Sequence, residues 1–314
     1  MLRLVATRIA LGCVSLLAVS LAVFAITNLL PGDAAEELLG QAATPEAVAG
    51  LRRALGLDQP APVRYLHWLG GLLSGDPGRS LVNNVPVAQL IGSRLPNSLL
   101  LAAATAAVAV PIALAIGITA AMWRGSAYDR AVSVLTLSVV SVPEFLVATA
   151  AVIVFAVHLR WLSALSSASD ITSVAQFFRV FAMPVLVLAC VIVAQMIRLT
   201  RAAVIDQLRA SYVEMAVLKG ASPARVVLRH ALPNAIGPIA NAVALSLSYL
   251  LGGVIIVETI FNYPGVAKLM VDGVSQRDLP VVQACAMIFC AAYLLLVTMA
   301  DVVAILANPR LRHR

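Results

Sequence analysis

The sequence predicts an all-α membrane protein of six transmembrane helices, and three observations carry that prediction. Of 314 residues, 61 % are hydrophobic and only 12 % charged, whereas soluble domains sit near half apolar and a quarter charged. Runs of about 20 mostly apolar residues, enough to cross roughly 30 Å of hydrocarbon as a helix, occur at residues 9–30, 98–122, 132–157, 180–197, 234–257 and 281–306. The basic residues collect on alternate connections between these runs. A soluble core of this size would leave much apolar surface in water and aggregate, which excludes an ordinary water-soluble enzyme.

The first run follows Arg3 and Arg8, as a signal peptide would. Its 22 uncharged residues exceed the roughly 7–15 of a signal-peptide core, and no A-x-A-like site follows, so a retained helix is expected. Residues 31–97 are too polar to span. Thr44-Pro45-Glu46 reads as an N-cap, a first-turn proline and an early acid, with Gly56 closing the helix. A second helix is expected over Ala61–Leu73, with Tyr65, Trp68, Leu69 and Leu72 at helical spacing, followed by a turn at Gly75-Asp76-Pro77-Gly78. Together these form a small helical cap, either a solvated loop or a docking surface and lid.

The third run contains Glu144 and the sixth Asp301. An acid at mid-helix costs roughly 2.5–3.5 kcal/mol on insertion scales and therefore faces protein or water. Pro143 frees a backbone carbonyl ahead of Glu144 and permits a kink. Two readings of Glu144 stay open: a kinked helix whose acid lines a passage and meets an ammonium group, or an inter-helix hydrogen bond. Gln195, Asn241 and Ser246 are open to the same pair of readings. Asp301, near the end of its run and near Arg310, reads as structural. Small residues such as 102–107 and Gly252-Gly253 suit close helix packing.

Between the fourth and fifth runs lies a 36-residue connection, 198–233. A helix is expected over 203–218, broken by Gly220. Ser222-Pro223 then starts a second helix through Arg225 and Arg229 towards Leu232-Pro233. Val213, Ala216 and Val217 among charges suit a seat against another protein, and glycine and proline supply fixed bends.

Six spans place both termini on one side. Residues 1–8, 123–131, 198–233 and 307–314 hold thirteen basic residues against three acids, Asp129, Asp206 and Glu214. The opposite side holds nine basic residues against ten acids in a longer stretch. The positive-inside rule puts both termini in the cytoplasm. The net charge of +7 is thereby a topology signal, and nucleic acid is not an expected partner. Cys13, Cys190, Cys285 and Cys290 lie in apolar stretches without a CxxC pair, so neither metal ligation nor a disulfide framework is expected.

The connection at 198–233 resembles the "EAA" loop of the membrane subunits of ATP-binding-cassette importers: E-A-A, three residues, G, nine residues, I-x-L-P. Here the residues are Glu214-Met215-Ala216, Gly220 and His230-Ala231-Leu232-Pro233, with Met215 and His230 departing from the pattern at unchanged spacing. Tyr212-Val213, Lys219-Gly220 and Asn234 are similar to the peptide-importer branch. So are Leu29-Leu30-Pro31-Gly32-Asp33, Leu55-Gly56-Leu57-Asp58, Gly75-Asp76-x-Gly78-Arg79-Ser80, Ser141-Val142-Pro143-Glu144-Phe145, Val257-Glu258-Thr259 and Asn308-Pro309-Arg310, in order along nearly the whole chain.

The resemblance implies the type I importer permease fold. Residues 1–30 would be the cytoplasmic end and first helix, 31–97 the extracytoplasmic segment, 98–307 a five-helix core with coupling loop 198–233, and 308–314 a cytoplasmic tail. It implies an ATPase-coupling surface at Tyr212, Glu214, Ala216, Lys219, Gly220, Arg225, Leu232 and Pro233. Pro143, Glu144, Gln195 and Asn241 are candidates for the translocation path. The implied partners are a second related permease, two ATPase subunits, an extracytoplasmic solute-binding protein and the bilayer.

A P-loop needs Gly-Lys before Ser or Thr, and the only lysines, Lys219 and Lys268, follow Leu218 and Ala267. No catalytic role and no cofactor are expected in this chain; ATP and Mg²⁺ belong to the partner ATPases. Di- or oligopeptides are the implied substrates, with nickel, glutathione or another small solute as the alternative. An ATP-independent transporter would need a matching broken helix in the other half of the chain. A membrane-embedded enzyme would need clustered ligands or bases, but His67, His158, His230 and His313 are scattered.

Overall fold

The structure, a computed structural model, describes residues 2–29, 39, 43–54, 56–165 and 174–307. Residues 30–33, Leu55 and the tail 308–314 with Asn308-Pro309-Arg310 lie outside the described residues. The described chain is almost wholly helical, its one β-type pairing an isolated bridge between Arg79 and Pro86. Among the described residues five helices are long and apolar enough to cross a membrane, and one sharply bent pair makes a sixth crossing if its two helices count as a single span. The chain divides into two compact units.

One unit comprises Cys13–Ser98 and Pro264–Ala292. It holds most of α1 (Leu2–Leu29), then α2 (Pro45–Ala54) and α3 (Ala61–Leu73). The Thr44 hydroxyl accepts the Ala47 N–H at 3.2 Å, and Gly56 at φ +66° takes the left-handed turn that a side chain would resist. Helix α3 lies on α1 through Phe24, Tyr65 and Trp68, with ring centroids 5.4–6.1 Å apart. The Tyr65 and Ser20 hydroxyls are 2.8 Å apart. The expected turn at Gly75–Gly78 is present, the Gly78 N–H donating to Asp76 Oδ1 at 3.1 Å.

Helix α4 (Val87–Met122) begins inside the stretch expected to precede the second span. Val87, Leu90, Ile91 and Leu95 recur at helical spacing and pack with residues of α10 (Val266–Ser275) and α11 (Leu279–Ala307). The polar Ser93, Arg94 and Asn97 disguise that periodicity in the sequence. Pro96 removes one rung of the hydrogen-bond ladder without ending the helix. Asn97 then donates to the Pro264 carbonyl at 2.9 Å, and Ser98 Oγ accepts the Val266 N–H at 2.8 Å, holding the start of α10.

The second unit comprises Met1–Gly12, Leu99–Tyr263 and Tyr293–Arg314. It contains the rest of α4, then α5 (Ala127–Ser141), α6 (Glu144–Ala151) with a π-helical continuation Val152–His158, and α7 (Val174–Leu208). After these come α8 (Ser211–Leu218), an α turn Pro223–Arg225, a π-helical run Val226–Ala231 and α9 (Leu232–Ile260). Helices α7 and α9 pack extensively on one another. In α7 61 % of the most apolar stretch is buried within the chain, against 11 % in α1.

The sequence expectations need three corrections here. The third span is not one kinked helix: α5 and α6 meet at 93°. Val142 is extended (φ −90°, ψ 125°), the conformation a following proline enforces. The helix of the fourth span does not stop at 197: α7 continues through Arg198 and Arg201 to Leu208, charges being no obstacle to the backbone ladder. The helix expected over 203–218 is therefore the end of α7 plus a separate α8. Asp301 pairs with Arg8 at 2.9 Å; Arg310 lies outside the described residues.

Candidate functional site

The segment after α7 is built from two sharp bends. Ala210 leaves the helix in an extended conformation (φ −76°, ψ 144°), and the Tyr212 hydroxyl donates to Gln207 Oε1 at 3.1 Å across that break. Helix α8 closes in the manner that places glycine past a helix end. The Ala221 N–H donates to the Ala216 carbonyl at 3.1 Å, the Gly220 N–H to the Val217 carbonyl at 2.9 Å, and Gly220 lies at φ +79°. Ser222 is extended and Pro223 opens the next turn. The helix expected to run towards Leu232-Pro233 passes through them into α9 without a break. Pro233 has no N–H to give, and it stands where the π-helical run Val226–Ala231 passes into α9, the widened turn before it accommodating the ring.

Burial sorts the side chains of this segment. Val213 and Ala216 of α8 are buried, as are Val226, Val227 and Ala231. Val227 joins a core with Ala121 of α4, Val204 and Ile205 of α7, and Ala235 and Ile239 of α9, with Leu232 packed against it. The segment is thus seated on the ends of three membrane helices. Its other face is apolar and open: Leu218 is 74 % exposed, Met215 54 %, and Tyr212, Val217 and Leu228 are exposed too. Glu214, Lys219, Arg225 and Pro233 share that exposure. Among the described residues the side chains of Glu214, Lys219 and Arg225 have no hydrogen-bond or ion-pair partner. Of the residues expected at the coupling surface, Ala216 and Leu232 serve packing instead, Leu232 only partly exposed.

The candidate path residues are more dispersed. Pro143 is exposed at the corner, and Glu144 behind it is half-buried. Helix α6 packs against α7 and α9, and the Glu144 carboxylate lies directly over Gly253, where a Cβ would collide with it. Gln195 is half-buried and lines a cavity of about 450 Å³ with Ser133, Thr136 and Arg198. Asn241 is exposed. No hydrogen bond joins Glu144, Gln195 and Asn241 among the described residues. Ser246 donates within its own helix, to the Ala242 carbonyl at 2.8 Å, so it is not an inter-helix tie.

Two residues that the sequence reading counted only as loop charges prove to be joined. Asp129, 3 % exposed, receives Arg201 Nε at 2.6 Å on Oδ1 and Arg201 Nη2 at 2.9 Å on Oδ2. Ser126-x-x-Asp129 is a readable helix-start signal, since Ser126 Oγ accepts the Asp129 N–H at 3.2 Å. Nothing in the sequence points from Asp129 to Arg201.

Residues 113–313 match the family model described as binding-protein-dependent transport system inner membrane component. Residues 1–102 match the model described as the N-terminal part of a binding-protein-dependent transport system membrane component. The chain is 34 % identical over 295 residues to a probable peptide ABC transporter permease protein of Sinorhizobium fredii, covering 94 % of each chain. It is 36 % identical over 300 residues to glutathione transport system permease proteins of Salmonella typhimurium and Pectobacterium atrosepticum, covering 96 % of this chain and 95 % of theirs.

Proposed function

The chain belongs to the binding-protein-dependent transport system inner membrane component family and is a multi-pass permease subunit of an ABC importer; from that premise we propose that it forms half of a pathway for small peptides, driven through α8. In this reading the subunit pairs with a second, related permease to make a heterodimer. Two ATPase subunits lie beneath the pair, and a solute-binding protein delivers substrate from outside. ATP and Mg²⁺ act in the ATPases and not in this chain. Both termini and the 198–233 segment face the cytoplasm, in keeping with the thirteen basic residues on that side.

One observation carries the reading: α8 is an eight-residue helix fixed by a bend at either end, packed inward by Val213 and Ala216 and open outward through Met215 and Leu218. An exposed apolar patch rimmed by charge suits a protein partner. Glu214, Lys219 and Arg225 have unspent hydrogen-bonding capacity there. Tyr212 braces the bend, Gly220 supplies its left-handed turn, and Leu232 and Pro233 hand the motion to α9. Closure of the ATPases would move α8 and the helix ends it rests on as a rigid body. Pro143, Glu144, Gln195 and Asn241 are the polar or bending residues of the spans on the proposed route.

The test is uptake by the assembled importer in proteoliposomes. Gly220→Pro and Glu214→Lys should leave the subunit inserted and abolish ATP-dependent uptake; normal uptake in both would refute the assignment. A peptide substrate is supported by the name of the Sinorhizobium relative. A second reading is glutathione, favoured by the names of the Salmonella and Pectobacterium relatives. Thermal stabilisation of the cognate binding protein by dipeptides, glutathione or nickel separates these and the remaining small solutes.

A further inference from the structure

We propose that Asp129 and Arg201 form a positioning clamp that carries the movement of α8 and α7 into the broken span α5–α6. The proposal rests on the reading of α8 as the driven element and adds the route by which its motion reaches the corner at Pro143.

The clamp is built at both ends. Both carboxylate oxygens of Asp129 are engaged by Arg201, through Nε at 2.6 Å and Nη2 at 2.9 Å. Oδ2 also accepts the Gly125 N–H at 2.9 Å, and Gly125 lies at φ +80°, so the turn between α4 and α5 is fixed by the same carboxylate. Arg130 reaches back to the Gly125 carbonyl at 3.3 Å. A two-pronged guanidinium–carboxylate contact sets an orientation as well as a distance. On the α7 side, neighbouring Thr200 is buried, and Gly117 of α4 approaches so closely that a Cβ would stand 2.9 Å from Thr200 Cβ and 3.0 Å from the Ile197 carbonyl oxygen.

The placement gives the clamp its role. Two helical turns beyond Arg201, α7 ends and the segment bearing α8 begins. Apolar packing already ties that segment to α4, α7 and α9, through Val227, Leu232, Val204, Ile205, Ala121 and Ile239. Among the described residues no member of that cluster comes from α5. Helix α5 packs along α7, and the Asp129–Arg201 contact fixes its first turn there. At its other end α5 stops at Val142-Pro143, and Glu144 rests on Gly253 of α9. A shift of α7 is therefore passed by the clamp to α5 and on to the α5–α6 corner, where α6 rests on α9; without the clamp only the packing of α5 along α7 remains to carry it.

The experiment uses the complete importer in proteoliposomes, with tritiated dialanine and glutathione as probes. Asp129→Asn and Arg201→Met each leave one polar partner behind, and both should lower the melting temperature and the uptake. The double variant D129N/R201M removes both charges together. Its expected result is a melting temperature near that of the wild type, unchanged ATP hydrolysis without binding protein, and uptake and binding-protein-stimulated hydrolysis both reduced at least tenfold. A contact that only supports the fold predicts the opposite: restored stability brings restored uptake, and that result overturns the proposal. Should the double variant fail to insert, Arg201→Lys decides, since it keeps the charge and loses the two-pronged geometry. Reduced uptake with normal insertion supports the clamp, and wild-type uptake overturns it. Failure of the underlying reading shows elsewhere, as full uptake in Glu214→Lys and Gly220→Pro.

Discussion

Gly117 and Gly220 are both required, for different physical reasons. At Gly117 the constraint is space: a methyl group would meet Thr200 Cβ at 2.9 Å and the Ile197 carbonyl oxygen at 3.0 Å, and a backbone atom cannot rotate away. Gly117→Ala is expected to destabilise the protein by roughly 1–3 kcal/mol, read as a lower melting temperature in detergent. At Gly220 the space is open and the constraint is φ +79°. Gly220→Ala should cost about 1–2 kcal/mol and weaken uptake, while Gly220→Pro also loses the N–H that bonds Val217. Gly253→Ala differs again, because the atoms it meets belong to the end of a flexible side chain, Glu144. Stability should hold while uptake changes, measured as melting temperature and transport on the same preparation. Of these glycines Gly220 was legible in the sequence, because it follows a helical run and precedes Ser222-Pro223, and Gly253 was legible as a close-packing position but not as the seat of Glu144. Gly117 is lost among the small residues of its span, and its neighbour Thr200 is 83 positions away.

At the scale of the element, the corner between α5 and α6 depends on one ring. Pro143→Ala restores an N–H and releases Val142 from its extended conformation. The two helices are then expected to approach a continuous span, seen as slowed hydrogen exchange at residues 142–146 and as lost uptake in a normally inserted protein. Helix α8 makes the complementary case. Met215→Asp and Leu218→Asp alter side chains that are more than half exposed, so insertion and melting should be little changed. Co-purification of the ATPase should fall at least tenfold. Helix α2 was legible from its cap, and α3 because its period and the turn after it agree. The start of α4 at Val87 was obscured because the polar Ser93, Arg94 and Asn97 interrupt its apolar run. The extension of α7 to Leu208 was missed because apolarity marks where lipid ends and not where a helix ends.

Across the whole molecule, composition is the most legible property. An apolar content of 61 % with 12 % charge leaves lipid as the solvent, and the six apolar runs follow from the length a helix needs to cross it. The candidate site was legible as a spacing of Glu214, Gly220 and Pro233, but its working surface was not. Which of Tyr212, Val213, Met215 and Ala216 face outward depends on the core beneath α8, assembled from helices distant in sequence. The link between Asp129 and Arg201 was invisible for the same reason. The account as a whole requires α8 to stand in the cytoplasm against an ATPase. The most direct measurement is site-specific cross-linking from Leu218→Cys in the assembled importer, in inside-out and right-side-out vesicles. The account predicts an adduct with the ATPase subunit, blocked by an impermeant thiol reagent only in inside-out vesicles; blocking only in right-side-out vesicles, or no adduct in an importer that still hydrolyses ATP and transports, would contradict it.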